Sequence, residues 1–529
     1  MMRIIPLLLA LLMGTVHSAE AASGAWIGAG DGNWNDDSNW TRAPYPGPGE
    51  TATFDVEATE STLSMNGAAI SLAAISFVGG PGSYTFNADG GSLSVARITV
   101  DANVTGTWTQ TFNARLDYPD GGNSFITNDS AATVLDLQGG IDNASATKNL
   151  QFYVDGPGVV VLNGASSNHG AAISITKRNT GKLIYRGTSS GAVSLTEHGG
   201  IVQFDTAGAM NFSGNGIGMT GGIIGLGAED FTLALATGGA NTIRWSTTVN
   251  GDTGFAAYGA NRSVNIGGEY TDFVWGGHLQ IKEGVGLVLG SADSTHTLDF
   301  QNQLDLADGA RSIVVHDGTS PTNIDGEISG VISSPTAPQG SVTKTGAGTL
   351  LLSAGNLYTG LTTVSAGTLL VGNSSGQGSL YGGASVASGA ILGGSGSIAG
   401  VVTIDGSLHP GNGMGILTVQ DGVTWNGGNA WVFELGAAAA THTNAGGGSQ
   451  DQLQITSGDF LKGTGSAWAF DFAGTGAVGW YKIVDWTGTS NFQAGDFTAS
   501  NLGAGLSGAF IVDGGTSALY LKVDRSSAK

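Results

Sequence analysis

The chain has 529 residues, 91 of them glycine, no cysteine, and a net charge of −22 from 41 acidic against 19 basic residues. The missing cysteine excludes disulfides, thiolate metal sites and cysteine nucleophiles, and the acidic balance disfavours nucleic acid and anionic lipid as partners. A hydrophobic share of 40% excludes wholesale disorder.

Glycine stands at more than twice its usual share of roughly 7%. With ample Val, Ile, Leu and Thr, this implies many short strands and tight turns. The eight histidines form no H-x-x-x-H or H-E-x-x-H pair, so neither a metal nor a cofactor is expected.

The N-terminus reads MMRIIPLLLALLMGTVHSAEAA. Arg3 supplies a basic n-region, the apolar run from Ile4 to Met13 is too short to span a bilayer, and Ala19-Glu20-Ala21 is a small-residue cleavage site. This predicts a signal peptide over residues 1–21. No later segment is apolar for about 18 residues, so no transmembrane helix is expected.

Residues 22–120 read as an N-terminal β segment or cap. Within it, DGNWNDD places Asp31, Asn33 and Asn35 at alternating positions, like the start of a calcium loop. The sixth place holds Asp36 instead of glycine, and the twelfth Arg42 instead of Glu. A polar turn between the packing residues Trp34 and Trp40 is the simpler reading.

Residues 121–340 carry a recurring phrase: GVVVLNG from Gly158, GKLIYRG from Gly181, GIVQFDT from Gly200 and GIIGLGA from Gly222. The period inside each phrase is two, that of a strand. The spacing sets Val160, Leu183, Val202 and Ile224 in one apolar column and Leu162, Tyr185, Phe204 and Leu226 in another. A repeat of about 20 residues built of short strands and glycine turns predicts a right-handed parallel β-helix. An antiparallel sandwich array is the alternative.

The same register stacks Asn163, Arg186 and Asp205. Arg186 and Asp205 are the candidate binding residues, able to pair across about 4.8 Å. No second carboxylate is evident in that column, so the pair reads more simply as an exposed ion pair, and no catalytic residue is assigned. Lys177 and Arg178 in TKRNTG, and Glu197 and His198 in TEHGG, read as solvated turns. The G-x-G-x-x-G at Gly216, Gly218 and Gly221 precedes no helix that would receive a phosphate.

Proline-bearing stretches at 43–50 and 333–340 read as boundaries. Beyond the second, Gly348, Gly367, Gly389 and Gly406 introduce TLLL, TLLV, AILG and SLHP, further coils over 341–420. Here SVTKTGAGTLLLSAGNLYTGLTTVSAGTLLVGN, then ILGGSGSIAGVVTIDGSLHPGNGMGILTV, then WVFELG with DQLQI closely resemble the autotransporter-associated β-strand repeat, also called the passenger-associated transport repeat. The resemblance implies a β-helical passenger, exported and displayed outside a Gram-negative-type cell.

Residues 421–529 read as a β-rich C-terminal capping unit. Its aromatics, Trp431, Phe433, Trp468, Phe470, Phe472, Trp480, Tyr481 and Trp486, alternate as a core face does more simply than as a sugar platform. About a hundred residues are too few for the membrane barrel that ends a full autotransporter. Release, or a separate outer-membrane partner, is therefore expected.

The functional expectation is an exported β-helical protein with a structural, adhesive or matrix role and no catalysis. Surface or extracellular polysaccharide, or other surface proteins, would be its partners. The alternatives are a polysaccharide-cleaving β-helix enzyme or a carbohydrate-binding surface protein. Intact-mass analysis of the exported protein should place the mature N-terminus near Ala22; retention of Leu9 would refute the signal peptide.

Overall fold

Short apolar-alternating strands separated by glycine turns cannot bury their inner faces alone, and here they do so by stacking. The computed structural model describes residues 24–55, 60–245, 251–268, 272–335, 339–442, 450–473 and 476–526. The expected signal peptide lies outside them. Three parallel ladders run along the chain, and a typical coil gives one rung to each, so the architecture is a parallel β-helix.

The first ladder passes through Thr51–Phe54, Gly122–Asn128, Leu150–Asp155 and Ile173–Lys177, and the second through Val134–Leu137, Val159–Leu162 and Lys182–Tyr185. Val193–Phe204 and Ile217–Leu226 each serve both of these ladders. The third begins with short rungs such as Leu116–Asp117 and Ile141–Asn143 and continues through Gly326–Ile328, Thr349–Leu352, Thr368–Val371 and Ile391–Gly394.

The first apolar column stands as expected. Val160 pairs with Leu183, Leu183 with Val202 and Val202 with Ile224, all buried. The second column, Leu162, Tyr185, Phe204 and Leu226, behaves likewise. The C-terminal phrases differ in two respects. They lie on the third ladder, whereas GVVVLNG and its copies lie on the second. One of them also shifts: Thr368 pairs with Ile391, and Ile391 with Ser407. Ala390, not Gly389, therefore holds the place of Gly367. A one-residue slip would turn the side chains over, and Leu392, inward and buried, fixes the true register.

Parallel pairing crosses each expected boundary. Thr51–Phe54 already pairs with Ala69–Phe77, so the N-terminal cap is confined to the first turns. There Trp26, Trp34 and Trp40 close the end of the core, with ring centroids 5.0 and 4.7 Å apart. Parallel pairing also continues past residue 421 as far as Trp468–Ala473 against Phe497–Ser500. The cap proper is the hairpin Leu506–Asp513 and Ala518–Arg525, which adds antiparallel to Gly479–Asp485. It covers the final rung, as a solenoid end requires. Trp431, Phe433, Trp468, Phe470, Phe472, Tyr481 and Trp486 are buried, and Trp425 stacks on Trp431 at 3.8 Å.

Two lysines point inward at corners. The Lys344 ammonium donates to the carbonyls of Gly346, Gly348 and Ala366 at 2.7, 2.5 and 2.9 Å. Gly346 and Gly367 have φ of +77° and +63°. A Cβ on Gly367 would stand 2.5 Å from the Gly348 carbonyl oxygen and from the lysine nitrogen. Glycine is thus required by both conformation and space. Lys177 closes the preceding kind of corner in the same way, donating to the carbonyls of Arg178, Asn179 and Thr180.

Burial pushes the Lys344 ammonium down to about 8, against a partial pull upward from Asp325. A lowered lysine contributes stability above its unfolded value of 10.5 and loses it as pH falls through about 8. Melting curves of the wild type and Lys344→Met should therefore diverge in favour of the wild type as pH rises from 8 to 10.5. A constant difference over that range would contradict the buried ammonium.

Candidate functional site

Three outward-facing constellations combine charge with concavity or pairing. The expected pair is formed: Arg186 Nε and Nη2 donate to Asp205 Oδ2 at 3.2 and 3.1 Å. Arg186 is 43% exposed. Asn163 does not join it; its amide turns instead to Asp136 on the adjacent coil, at 2.5 Å.

Beside this pair the second ladder is hollowed into a groove of about 760 Å³. Its floor includes Ile184, Ile201, Ile223 and Val288, and its rim carries Lys182, His198, Asp252, Asp293 and His316. Lys182 forms an ion pair with Asp293, lies 4.2 Å from the Tyr258 ring centroid, and donates to Gln203. Tyr258 and Ser291 both donate to Asp293 Oδ1 at 2.8 Å. Burial works against ionisation of Asp293, but the hydrogen bonds from Lys182 and Ser291 outweigh it and hold the carboxyl below its ordinary value. Lys182 and Asp293, whose segments lie four rungs apart on the second ladder, are thus both engaged by partners from other coils.

The third constellation has no counterpart in the sequence reading. Asp117 and Asp142 stack on adjacent rungs of the third ladder. Arg115 reaches both, Nε to Asp117 Oδ1 at 2.7 Å and Nη2 to Asp142 Oδ2 at 3.6 Å. His169 Nε2 lies 3.2 Å from the same Asp142 oxygen, and Ser167 donates to the other. Arg115, Asp117, Asp142 and His169 line a cleft of about 610 Å³ walled by Tyr118, Pro119 and Asp120. Asp142 is 1% exposed. The third-ladder rungs here are too short to show an alternating pattern, and the only signal was an Asp after an apolar residue in LDY and IDN.

Two stretches read as solvated turns are otherwise. Lys177 is buried, and Arg178 is clamped by Asp155 at 2.8 and 2.5 Å while stacking on Tyr153. Glu197 and His198 lie within the strand Val193–Phe204 at a bulge. Glu197 points inward from the coil above Lys177, and burial pushes its carboxyl well above the ordinary value, against the attraction of Lys177. Strand periodicity would have placed both inward; their charge suggested solvent. The carboxyl is accommodated there because one oxygen accepts from the Ile223 N–H at 3.1 Å with Lys177 beside it on the next rung.

Asp31 accepts from the Asn33 backbone in a local turn, and Asn39 reaches across to the Asn33 carbonyl. Among the described residues no three His, Asp or Glu side chains gather as metal ligands. Gly216–Gly221 runs into the paired strand Ile217–Leu226. The outward stack of Phe125 on Tyr153, at 5.0 Å and 12°, turns ring faces toward each other.

The fold and its corners thus define a parallel β-helical solenoid. Residues 342–371 match the family model of the passenger-associated-transport-repeat, so this stretch is one such repeat set within a parallel β-helix. The match takes in Lys344, Gly346, Gly348 and Gly367, the corner described above. No curated protein matches the chain.

An exposed ion pair contributes at most about 1 kcal/mol. Arg186→Ala should therefore lower the melting temperature by no more than a few degrees. A larger loss in calorimetry would show that the pair does more than join two coils.

Proposed function

We propose that the chain is an exported β-helical passenger with a structural, adhesive or matrix role at the cell surface, and that it is not a catalyst. The observation that carries this reading is the passenger-type repeat lying in register within a stack of parallel coils. Such a stack offers length and regular faces, which suit a spacer or a contact surface. Its partners would be surface or extracellular polysaccharide, or other surface proteins. Antibody raised against the folded chain should label intact cells or detect it in the medium. Signal appearing only after lysis would overturn display.

A second reading rests on Asp117 and Asp142. Glycoside hydrolysis needs two carboxyl groups roughly 5–10 Å apart across a sugar-sized cleft, and these two share one guanidinium in such a cleft. Against it stands their engagement. Asp117 is held by Arg115, and Asp142 by Ser167 with Arg115 and His169 close by. Neither can pass a proton to a leaving oxygen without breaking one of these contacts. Purified chain should release no reducing ends or unsaturated products from neutral or acidic polysaccharides. Turnover that persists in Arg186→Ala and vanishes in Asp142→Asn would establish the second reading instead.

A further inference from the structure

Residues 345–404 contain no Asp, Glu, Lys, Arg or His, in a chain whose net charge is −22. The same block carries a concentration of exposed apolar side chains. Leu357, Leu361, Tyr381 and Val401 are 58%, 48%, 63% and 53% exposed. The other large apolar residues exposed among the described residues, Ile27, Met414, Val478 and Ile511, are scattered.

Register places the four on one corner of three successive coils. Asn356 pairs with Leu380, and Leu380 with Ile398, so Leu357, Tyr381 and Ala399 form one column. Thr362 pairs with Ala384, and Ala384 with Val402, so Leu361, Gly383 and Val401 form the next. The strip is therefore two columns wide, with a large residue beside a small one in two of the three coils: Tyr381 beside Gly383, and Val401 beside Ala399.

We propose that this strip is the interface of a twofold dimer in which two copies of the chain lie side by side and parallel. A twofold axis lying in the contact plane, along the solenoid, exchanges the two columns. Tyr381 of each copy then lies over Gly383 of the other, Val401 covers Ala399, and Leu357 meets Leu361. Each contact occurs twice, as an isologous interface requires. An axis across the solenoid would set Tyr381 on Tyr381 and Gly383 on Gly383. Charge selects the occupant. Two chains of net −22 repel wherever their acidic surfaces meet, and these three coils carry no carboxylate of their own, the nearest being Asp421 at the same corner one coil on. It offers no cation to an anionic lipid headgroup or an acidic polysaccharide. A contact of three coils is small, so the dimer is weak, with a dissociation constant on the order of 10–100 µM.

This inference deepens the adhesive reading, and the purified chain tests it separately from display. Sedimentation equilibrium of the full chain should show a concentration-dependent dimer. Tyr381→Asp should raise its dissociation constant at least about tenfold with unchanged melting, since the side chain is exposed; Val401→Asp provides a second variant. The chain has no native cysteine, so single cysteines report orientation. Leu357→Cys mixed with Leu361→Cys should form a crosslinked heterodimer under mild oxidation, whereas Leu361→Cys mixed with Val401→Cys should not. The reverse pattern would overturn the parallel pairing. A monomer at every concentration, or a dimer indifferent to both aspartate variants, would overturn the interface. Binding of a monomeric chain to neutral-lipid vesicles through Tyr381 would assign the strip to a membrane instead.

Discussion

Stacking of one coil on the next, at about 4.8 Å, is the constraint from which the other features of this molecule follow. It makes the nearest neighbour of almost every side chain the residue at the same place one coil away. The Val160, Leu183, Val202 and Ile224 column is a core because each member lies on a like member. It also makes the corners costly, since carbonyls that turn inward between strands have no ladder partner. Lys344 and Lys177 supply those partners with a single ammonium each. Desolvating the charge lowers the affinity of both for their protons. The open ends need their own solution, aromatic packing at Trp26, Trp34 and Trp40 at one end and an antiparallel hairpin at the other.

What was legible in the sequence is what repetition writes twice. The apolar columns could be read from spacing alone, because period two and a step near 20 residues leave one inward assignment. Gly389 misled by one place because glycine is common enough here to occur beside a corner as well as in it. Lys177 and Glu197 were missed because strand period and charge gave opposite answers, and the backbone contacts that settle the conflict come from the corner and the next coil. Asp117, Asp142, Arg115 and His169 were missed because they come from coils that share no phrase. Their meeting depends on the number of residues in each intervening turn, which no short pattern encodes.

The same geometry separates the two ion-pair sites in chemical terms. Arg186 and Asp205 stand at a strand end in water, where screening leaves little of their attraction. Asp142 is shielded by the turn that follows Asp117 and by His169. An ion pair there must be kept whole, since removing one partner leaves a buried charge uncompensated. The groove over Ile184 and Ile201 lies between these cases, with Lys182 and Asp293 fastening coils across an apolar floor.

Stacking also sets a limit on how faithfully a charged surface can repeat. A sequence repeated from coil to coil places identical residues in one column, and identical charges about 4.8 Å apart repel. Coils whose outward residues vary escape this by alternating sign, as Asp155 with Arg178 and Arg186 with Asp205 do. Coils that repeat closely cannot, and must be uncharged outside. The block that holds the passenger repeat is both the part where AGTLL recurs intact and the part without a charge from 345 to 404. Regularity and neutrality there have one cause. The apolar side chains left at its corner follow from the same cause, because a surface that excludes charge has only small polar and apolar residues with which to meet water.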